Sequence, residues 1–252
     1  MIKEAVKKYA QDLNIEYVGF TNVDGKGCIC CLFPYYTGEE DGNISLYCRS
    51  LDYHKILLSY LDKLSLFLKK EYNISSSCFA DINPLMEVDI AHKCNLGVIG
   101  KNKLLINEKY GSFVFIGILL CDCSFEEEEF TKKTCLNCNK CVDICPAALK
   151  EGNFNLCLSS ISQKKGELSS FEEKLLKTNN IVFGCDICQK VCPMNTYKKT
   201  PIKDFYNNRL STLNSKMFEN LSNKEFKQLY GKYAFSWKGK NILLRNLKIF
   251  EE

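Results

Sequence analysis

Between about Asp52 and Lys70 the apolar positions Ile56, Leu57, Tyr60, Leu61, Leu64, Phe67 and Leu68 recur at intervals of three and four, the signature of a helix with one buried face. Residues 3–13 follow the same rule, with Val6, Tyr9, Ala10 and Leu13 on one side, and lead into a strand through IEYVGF (15–20). CICCLFPYY (28–36) is a continuous apolar run ended by Pro34 and two tyrosines, which predicts a buried strand, and TGEEDGN (37–43) reads as a loop. SSSCFADI (75–82) predicts a strand running into Asn83-Pro84, a good N-cap and first-turn residue for a helix at 85–95. A Gly-containing loop at 95–102 precedes a short strand at LLIN, a turn at EKYG and a strong strand at SFVFIGILL (112–120). EEEEF (126–130) reads as a solvated linker, and the C-terminal segment ends in two helices, one opened by the cap-like SNKEF (222–226). Helix and strand in alternation predict a layered α/β unit.

Composition changes this picture at one point. A chain of 252 residues is long enough to bury a real core, so stability does not demand disulfides, yet it carries 16 cysteines. The opening MIKEAVKKYAQDLN is amphipathic and charged, without the apolar centre of a secretory signal, and the longest apolar stretch, Phe113 to Leu120, falls short of the ~20 residues that cross a bilayer. A reduced, cytoplasmic setting follows, in which clustered cysteines signal metal or redox chemistry. Charge is uneven: from Tyr197 onward 12 Lys or Arg face 5 Asp or Glu, a balance of +7 within a total of +4, so the remainder carries −3. Such a tail suits a polyanion such as nucleic acid, and equally a solvated basic helical surface.

Cys135, Cys138, Cys141 and Cys145, followed by Pro146, form C-x2-C-x2-C-x3-C-P, the spacing of bacterial ferredoxins. A short loop can wrap thiolates onto three corners of a cubane, and the fourth ligand comes from elsewhere. In two-cluster ferredoxins the last cysteine of each run crosses to the other cluster. The second run, Cys185, Cys188 and Cys192 before Pro193, lacks its first member, and Cys157 supplies it. One [4Fe–4S] cluster is therefore assigned to Cys135, Cys138, Cys141 and Cys192, and the other to Cys145, Cys157, Cys185 and Cys188. Zinc also uses four cysteines and C-x2-C pairs, but it explains neither the successive spacings of three nor the proline after each run. Cys28, Cys30, Cys31, Cys78 and Cys94 lie in apolar elements and are expected in the core, whereas Cys121 and Cys123 are spare candidate ligands.

With PMN after the second run, CLSSISQKKGEL (157–168), CRSLDYHKIL (48–57), FADINPLMEVDIAHKCNLGVIGKN (79–102), KYGSFVFIGILLCD (109–122) and NKEFKQLYGKYAFSWKGKNILLRN (223–246), the chain resembles the epoxyqueuosine reductases, cobalamin-dependent enzymes related to reductive dehalogenases. The resemblance implies an α/β (α+β) fold: a nitroreductase-like cobalamin-binding domain over 1–125, a two-cluster ferredoxin-like module over 126–197 and a short basic helical tail over 198–252 that meets tRNA. It implies reduction of epoxyqueuosine to queuosine at the wobble position of the tRNA anticodon stem-loop, with low-valent cobalt as nucleophile or electron donor and the clusters as its electron supply.

Under the same resemblance Asp81 matches the family's proton donor, an acid whose pKa an apolar corrin face would raise by desolvation. Without it, Asp81 would be a polar residue favoured near a helix start. Cys48, Leu105, Ile116, Ser159, Asp186 and Ile187 match cobalamin-contacting positions, mostly through packing or backbone, and Tyr53 and His54 are expected near the same pocket. No D-x-H-x-x-G run is present, which suits a cobalt without a protein ligand. A monomer served by a ferredoxin or flavodoxin, away from any membrane, completes the expectation. Two departures stand out. Val23-Asp24-Gly25-Lys26 passes almost directly into CICC where the family has a longer segment, and the family's C-terminal helical-repeat domain has no counterpart before Glu252. They motivate two alternatives, a ferredoxin-like electron carrier without catalysis of its own and a cobalamin-dependent reductase of a small molecule.

Overall fold

The computed structural model describes residues 2–38, 41–81, 85–126, 129–131 and 133–251. Its contacts divide the chain into two compact units, each assembled from separated stretches. One takes in residues up to 36, 54–138 and 193–203; the other joins 37–53, 139–192 and 204 onward. Residues 139–192 of the cysteine-rich segment and the basic tail from 204 onward therefore share a unit.

The first unit is built on a sheet. Helix α1 (Ile2–Asp12) is followed by β1 (Tyr17–Val23) and β2 (Lys26–Pro34), joined by a two-residue turn in which Asp24 and Gly25 both take positive φ (49° and 77°). That geometry matches the right-handed twist of the strands it connects. Helix α2 (Tyr53–Tyr72) carries the expected periodic face, with Ile56, Leu57, Leu61, Leu64 and Leu68 buried. Next come β3 (Ser76–Ala80), α3 (Glu87–Lys93), the small antiparallel pair β4 (Val98–Ile99) and β5 (Leu105–Ile106), and β6 (Val114–Cys121). The order in the main sheet is β1-β2-β6-β3, and every pairing is antiparallel.

β2 is central, so both of its faces are covered, and strand alternation separates its cysteines. Cys28, Cys30 and Leu32 pack with Ile118 and with Ile90, Ala91 and Cys94 of α3 or its C-cap. Cys31 points the other way, toward the face where Leu61 of α2 lies against Gly117 and Tyr60 meets Phe33 edge-on. Tyr9 stacks on Phe67, with centroids 4.4 Å apart, and fastens α1 to α2. Cys78 is only half-buried, an edge-strand residue with one open side.

Close approach on the α3 face depends on Gly19. A Cβ there would lie 2.5 Å from Cys94 Cβ and 2.7 Å from its carbonyl oxygen, backbone that cannot retreat cheaply. Gly19→Ala should destabilise the protein by about 1–3 kcal/mol, the range for overpacked cores, as read by denaturant unfolding; a loss below about 0.5 kcal/mol would mean that α3 moves freely.

The second unit contains α4 (Lys140–Ile144), α5 (Ala148–Glu151), α6 (Leu158–Gln163), α7 (Ser170–Thr178), α8 (Ile187–Lys190), α9 (Asn223–Tyr230) and α10 (Lys240–Lys248). Most are too short to persist alone, and side-chain pins replace regular structure. Asn246 of α10, fully buried, donates from Nδ2 to the carbonyls of Ser162 and Val182 at 2.7 Å each. Buried Arg49 donates from Nε and Nη2 to the Ile44 carbonyl. Leu158, Ile161, Leu176, Ile181 and Ile249 form the core. Capping boxes open α7 (Ser169 with Glu172) and α9 (Ser222 with Glu225), the second at the expected SNKEF. Among the described residues no helix is long and apolar enough to cross a membrane.

Candidate functional site

The two cysteine runs fold as loops whose backbone turns inward. Asn137 and Asn139 both occupy the left-handed region (φ 55° and 62°), where Asn is among the few tolerated residues, and α4 starts immediately after them. The Asn137 amide donates to Cys135 Sγ at 3.5 Å, the Leu149 amide to Cys145 Sγ at 3.4 Å, and the Ile187 amide to the Cys185 sulfur. Amide donors aimed at sulfur favour thiolates and are a lever on cluster potential, so these loops fit iron–sulfur cubanes. α4 and α8, carrying Cys141 and Cys188, pack on each other. Cys145, Cys157, Cys185 and Cys188, the proposed second cluster, all belong to the second unit, as do Cys141 and Cys192; Cys135 and Cys138 belong to the first.

Exposure sets the proposed ligands apart from most of the other cysteines, although Cys78 and Cys123 are half-buried as well. Cys138 is exposed and the other seven proposed ligands are half-buried, whereas Cys28, Cys30, Cys31, Cys48, Cys94 and Cys121 are buried. Burial pushes the thiols of Cys28 and Cys121 up to about 12, so these remain protonated. Cys121 and Cys123 hydrogen-bond to each other. Among the described residues no three His, Cys, Asp or Glu side chains converge on a point that a single ion could occupy; a cubane asks for donors at four corners instead.

Asp81 follows the last residue of β3 in the left-handed region (φ 64°), which Asp tolerates better than most residues. Its amide donates to Glu87 Oε1 at 3.0 Å, tying the turn to the first residue of α3. Its Oδ2 lies 3.3 Å from Nε2 of His54, in the first turn of α2, and its side chain is 59% exposed against 25% for the imidazole. The fold thus holds a carboxylate outward at the end of a strand, with a ring nitrogen beside it. His54 was expected near a pocket, but its pairing with Asp81 was not legible in the sequence. Asn83 and Pro84, expected to cap α3, lie outside the described residues. The described part of α3 begins at Glu87, with Met86 at the cap position and no side-chain cap bond.

The remaining candidates differ in how much side chain they offer. In the first unit Leu105 is buried in the cluster under α3, while Ile116 is half-buried against it. In the second unit Ser159 and Ile187 are half-buried, and Cys48 is fully buried, its thiol donating to the Ser45 carbonyl at 3.1 Å. Burial, and then the Asp186 charge, push that thiol well above its ordinary range.

Asp186 is also buried, and its carboxylate is spent. Oδ1 accepts from Ser45 Oγ at 2.5 Å and Gln189 Nε2 at 3.3 Å, and Oδ2 accepts from the Leu46 amide at 2.8 Å. Burial raises its pKa, opposed by those donors and by Arg49. The side chains of Cys48, Leu105 and Asp186 are all buried, which leaves mainly backbone at these positions to meet a ligand. Asp186→Ala should cost about 2–4 kcal/mol, because it strands buried donors at Ser45 and Leu46. Urea unfolding checks this, and a change under about 1 kcal/mol would show that the carboxylate is dispensable.

A mixed α/β unit with paired ferredoxin-type cysteine loops and a strand-end carboxylate defines an iron–sulfur oxidoreductase. The 4Fe-4S double cluster binding domain matches residues 134–195, and the family described as Epoxyqueuosine reductase QueG, DUF1730 matches residues 24–81. The epoxyqueuosine reductase of Lactococcus garvieae is 31% identical over 98% of this chain and 85% of its own length; that of Staphylococcus aureus is 33% identical over 83% of this chain and 56% of its own. The structure of the Streptococcus thermophilus epoxyqueuosine reductase superposes with a TM-score of 0.83 at 26% identity, covering 99% of this chain and 80% of that one. An epoxyqueuosine reductase crystallised with an epoxyqueuosine-modified tRNA-Tyr stem loop shares the fold at TM-score 0.87 and 24% identity. The chain belongs to the epoxyqueuosine reductase family.

Proposed function

We propose that this protein reduces epoxyqueuosine to queuosine at the wobble position of tRNA, using cobalamin and two [4Fe–4S] clusters. The observation that carries the reading is the Asp81 turn, whose backbone is tied to Glu87 and whose outward-held carboxylate is flanked by His54. It stands within a chain that matches the L. garvieae reductase over 98% of its length. Converting an epoxide to an alkene breaks both C–O bonds and consumes two electrons and two protons, the oxygen leaving as water. Asp81 is the proton donor to that oxygen, and an apolar ligand over its exposed carboxyl would hold the acid form. His54 positions the carboxyl through its ring nitrogen.

Cobalamin, when bound, would supply low-valent cobalt chemistry, as nucleophile or electron donor toward the epoxide carbon. The residues that would hold it are Asp81, Leu105, Ile116, Cys48, Ser159, Asp186 and Ile187. Asp186 keeps the Ser45–Cys48 turn in shape and leaves its backbone to the ligand. In sequence, 1–125 carries the acid and part of the cobalamin contact, 126–197 the clusters with the remaining cobalamin contacts, and 198–252 the tRNA contact. We assign the protein to the cytoplasm as a monomer fed by a ferredoxin or flavodoxin.

The test is anaerobic turnover of epoxyqueuosine tRNA by iron-reconstituted protein with and without cobalamin. Conversion that requires cobalamin supports the reading. Failure to bind cobalamin would leave only an electron carrier, and cobalamin binding without tRNA turnover would point to a small-molecule reductase. The basic tail also predicts that tRNA affinity falls linearly in log–log form with salt, by tens of fold or more between low and moderate salt if several phosphates are neutralised. Anisotropy titrations across salt check this, and a flat profile would remove the tail from the tRNA contact.

A further inference from the structure

Apart from iron, cobalamin and acid, the second unit has a cavity of about 480 Å³ formed where α9 meets the start of α10. Phe226 and Lys227 of α9, Trp237 and Lys238 of the connection, and Lys240 and Asn241 of α10 line it. Among the described residues no carboxylate does. Glu225, close enough to act on Lys240, is engaged by Ser222 in the α9 capping box. Lys240 is itself held at the rim by donating to the Leu221 carbonyl.

Trp237 is the chain's single tryptophan and is 63% exposed, although tryptophan is a highly buried residue on average. Its exposure is organised: Nε1 donates to Gln163 Oε1 at 2.9 Å, which fixes the edge of the indole, and Lys238 Nζ sits 3.7 Å from the ring centroid. A fixed aromatic face beside lysines, with no carboxylate among the described lining residues, is the pairing that single-stranded nucleic acid recognises, a stacking platform beside phosphate ligands. Gly239, the N-cap of α10, has no side chain to occupy the first-turn amides, which adds donors at the same place.

We infer that this cavity is an RNA nucleotide subsite: a base of the bound tRNA stacks on Trp237 while its flanking phosphates take Lys227 and Lys238. The assignment rests on tRNA being the substrate and goes beyond it in naming the residues that grip an unpaired nucleotide. A free nucleotide fits less well, because a ring left this open encloses no mononucleotide and depends on a strand anchored elsewhere along the basic tail.

Trp237 reports on its own site. The reconstituted protein titrated with an unmodified tRNA anticodon stem-loop, which cannot turn over, should show saturable quenching of tryptophan fluorescence. Followed by anisotropy of labelled RNA, Trp237→Ala should weaken binding by about tenfold, and Trp237→Phe should recover most of the loss. Lys227→Ala and Lys238→Ala should each lower the salt slope by about one. RNA affinities of Trp237→Ala and of the double lysine variant within twofold of wild type would overturn the assignment, as would quenching by ATP at the same affinity as RNA. If wild-type protein fails to reduce epoxyqueuosine tRNA while RNA still quenches Trp237, the proposed reaction falls and the subsite stands. Normal turnover with unaltered affinity in the variants is the reverse result.

Discussion

Asp81→Asn is expected to lower single-turnover conversion of epoxyqueuosine tRNA by about 10²–10⁴-fold, the range for losing a positioned general acid. Asn is the informative replacement for a structural reason. Asp81 sits at φ 64°, and Asn is one of the few side chains that tolerate this region, whereas alanine would add backbone strain of about 1–2 kcal/mol. The side chain is mostly exposed, so the amide should change unfolding free energy by no more than about 0.5 kcal/mol. Asn preserves the amide bond to Glu87 and a polar atom for His54 while removing the transferable proton. Turnover within threefold of wild type would show that another group protonates the leaving oxygen.

The second large effect is on the metal. Cys157→Ser should reduce iron from about eight to about four atoms per chain and abolish turnover, because the second cubane loses one of four ligands. Cys157 is the N-cap residue of α6, and its thiol makes no capping bond. Serine is a preferred N-cap, so the substitution favours the helix locally and any loss of structure traces to the missing cluster. Hydrogen exchange should rise most in α5 and α8, whose four residues each cannot stay helical unaided. Cys31→Ser is the contrasting case: a polar atom enters a fully buried site, stability falls, and the iron content holds at about eight. Full iron in Cys157→Ser would reject Cys157 as a ligand of the second cluster.

Much of this chemistry is written locally. Ligand spacing and the left-handed Asn137 and Asn139 act within a few covalent links, so the cluster loops are readable from a short window. So is the Asp24-Gly25 turn, a strong hairpin signal between two apolar runs whose consequence, antiparallel pairing of β1 with β2, was not anticipated. The strand through IEYVGF therefore starts later than expected and extends to Val23, where the turn begins. CICC was legible as buried, but not which cysteine faces which helix, because that follows from β2 lying second in a four-stranded sheet.

By itself, then, the sequence determined the ferredoxin-type cysteine spacing, the periodic helices and strands, and the family. Tertiary structure decided the sheet order, the pairing of His54 with Asp81 across 27 residues, the burial of Asp186 beneath Ser45 across 141, and the packing of the basic tail with the cysteine segment. The physical reason is range. Spacing and turn conformation are constrained through bonds, whereas partners far apart in sequence meet only when apolar faces pack, and a residue's own neighbours carry no record of which face that will be.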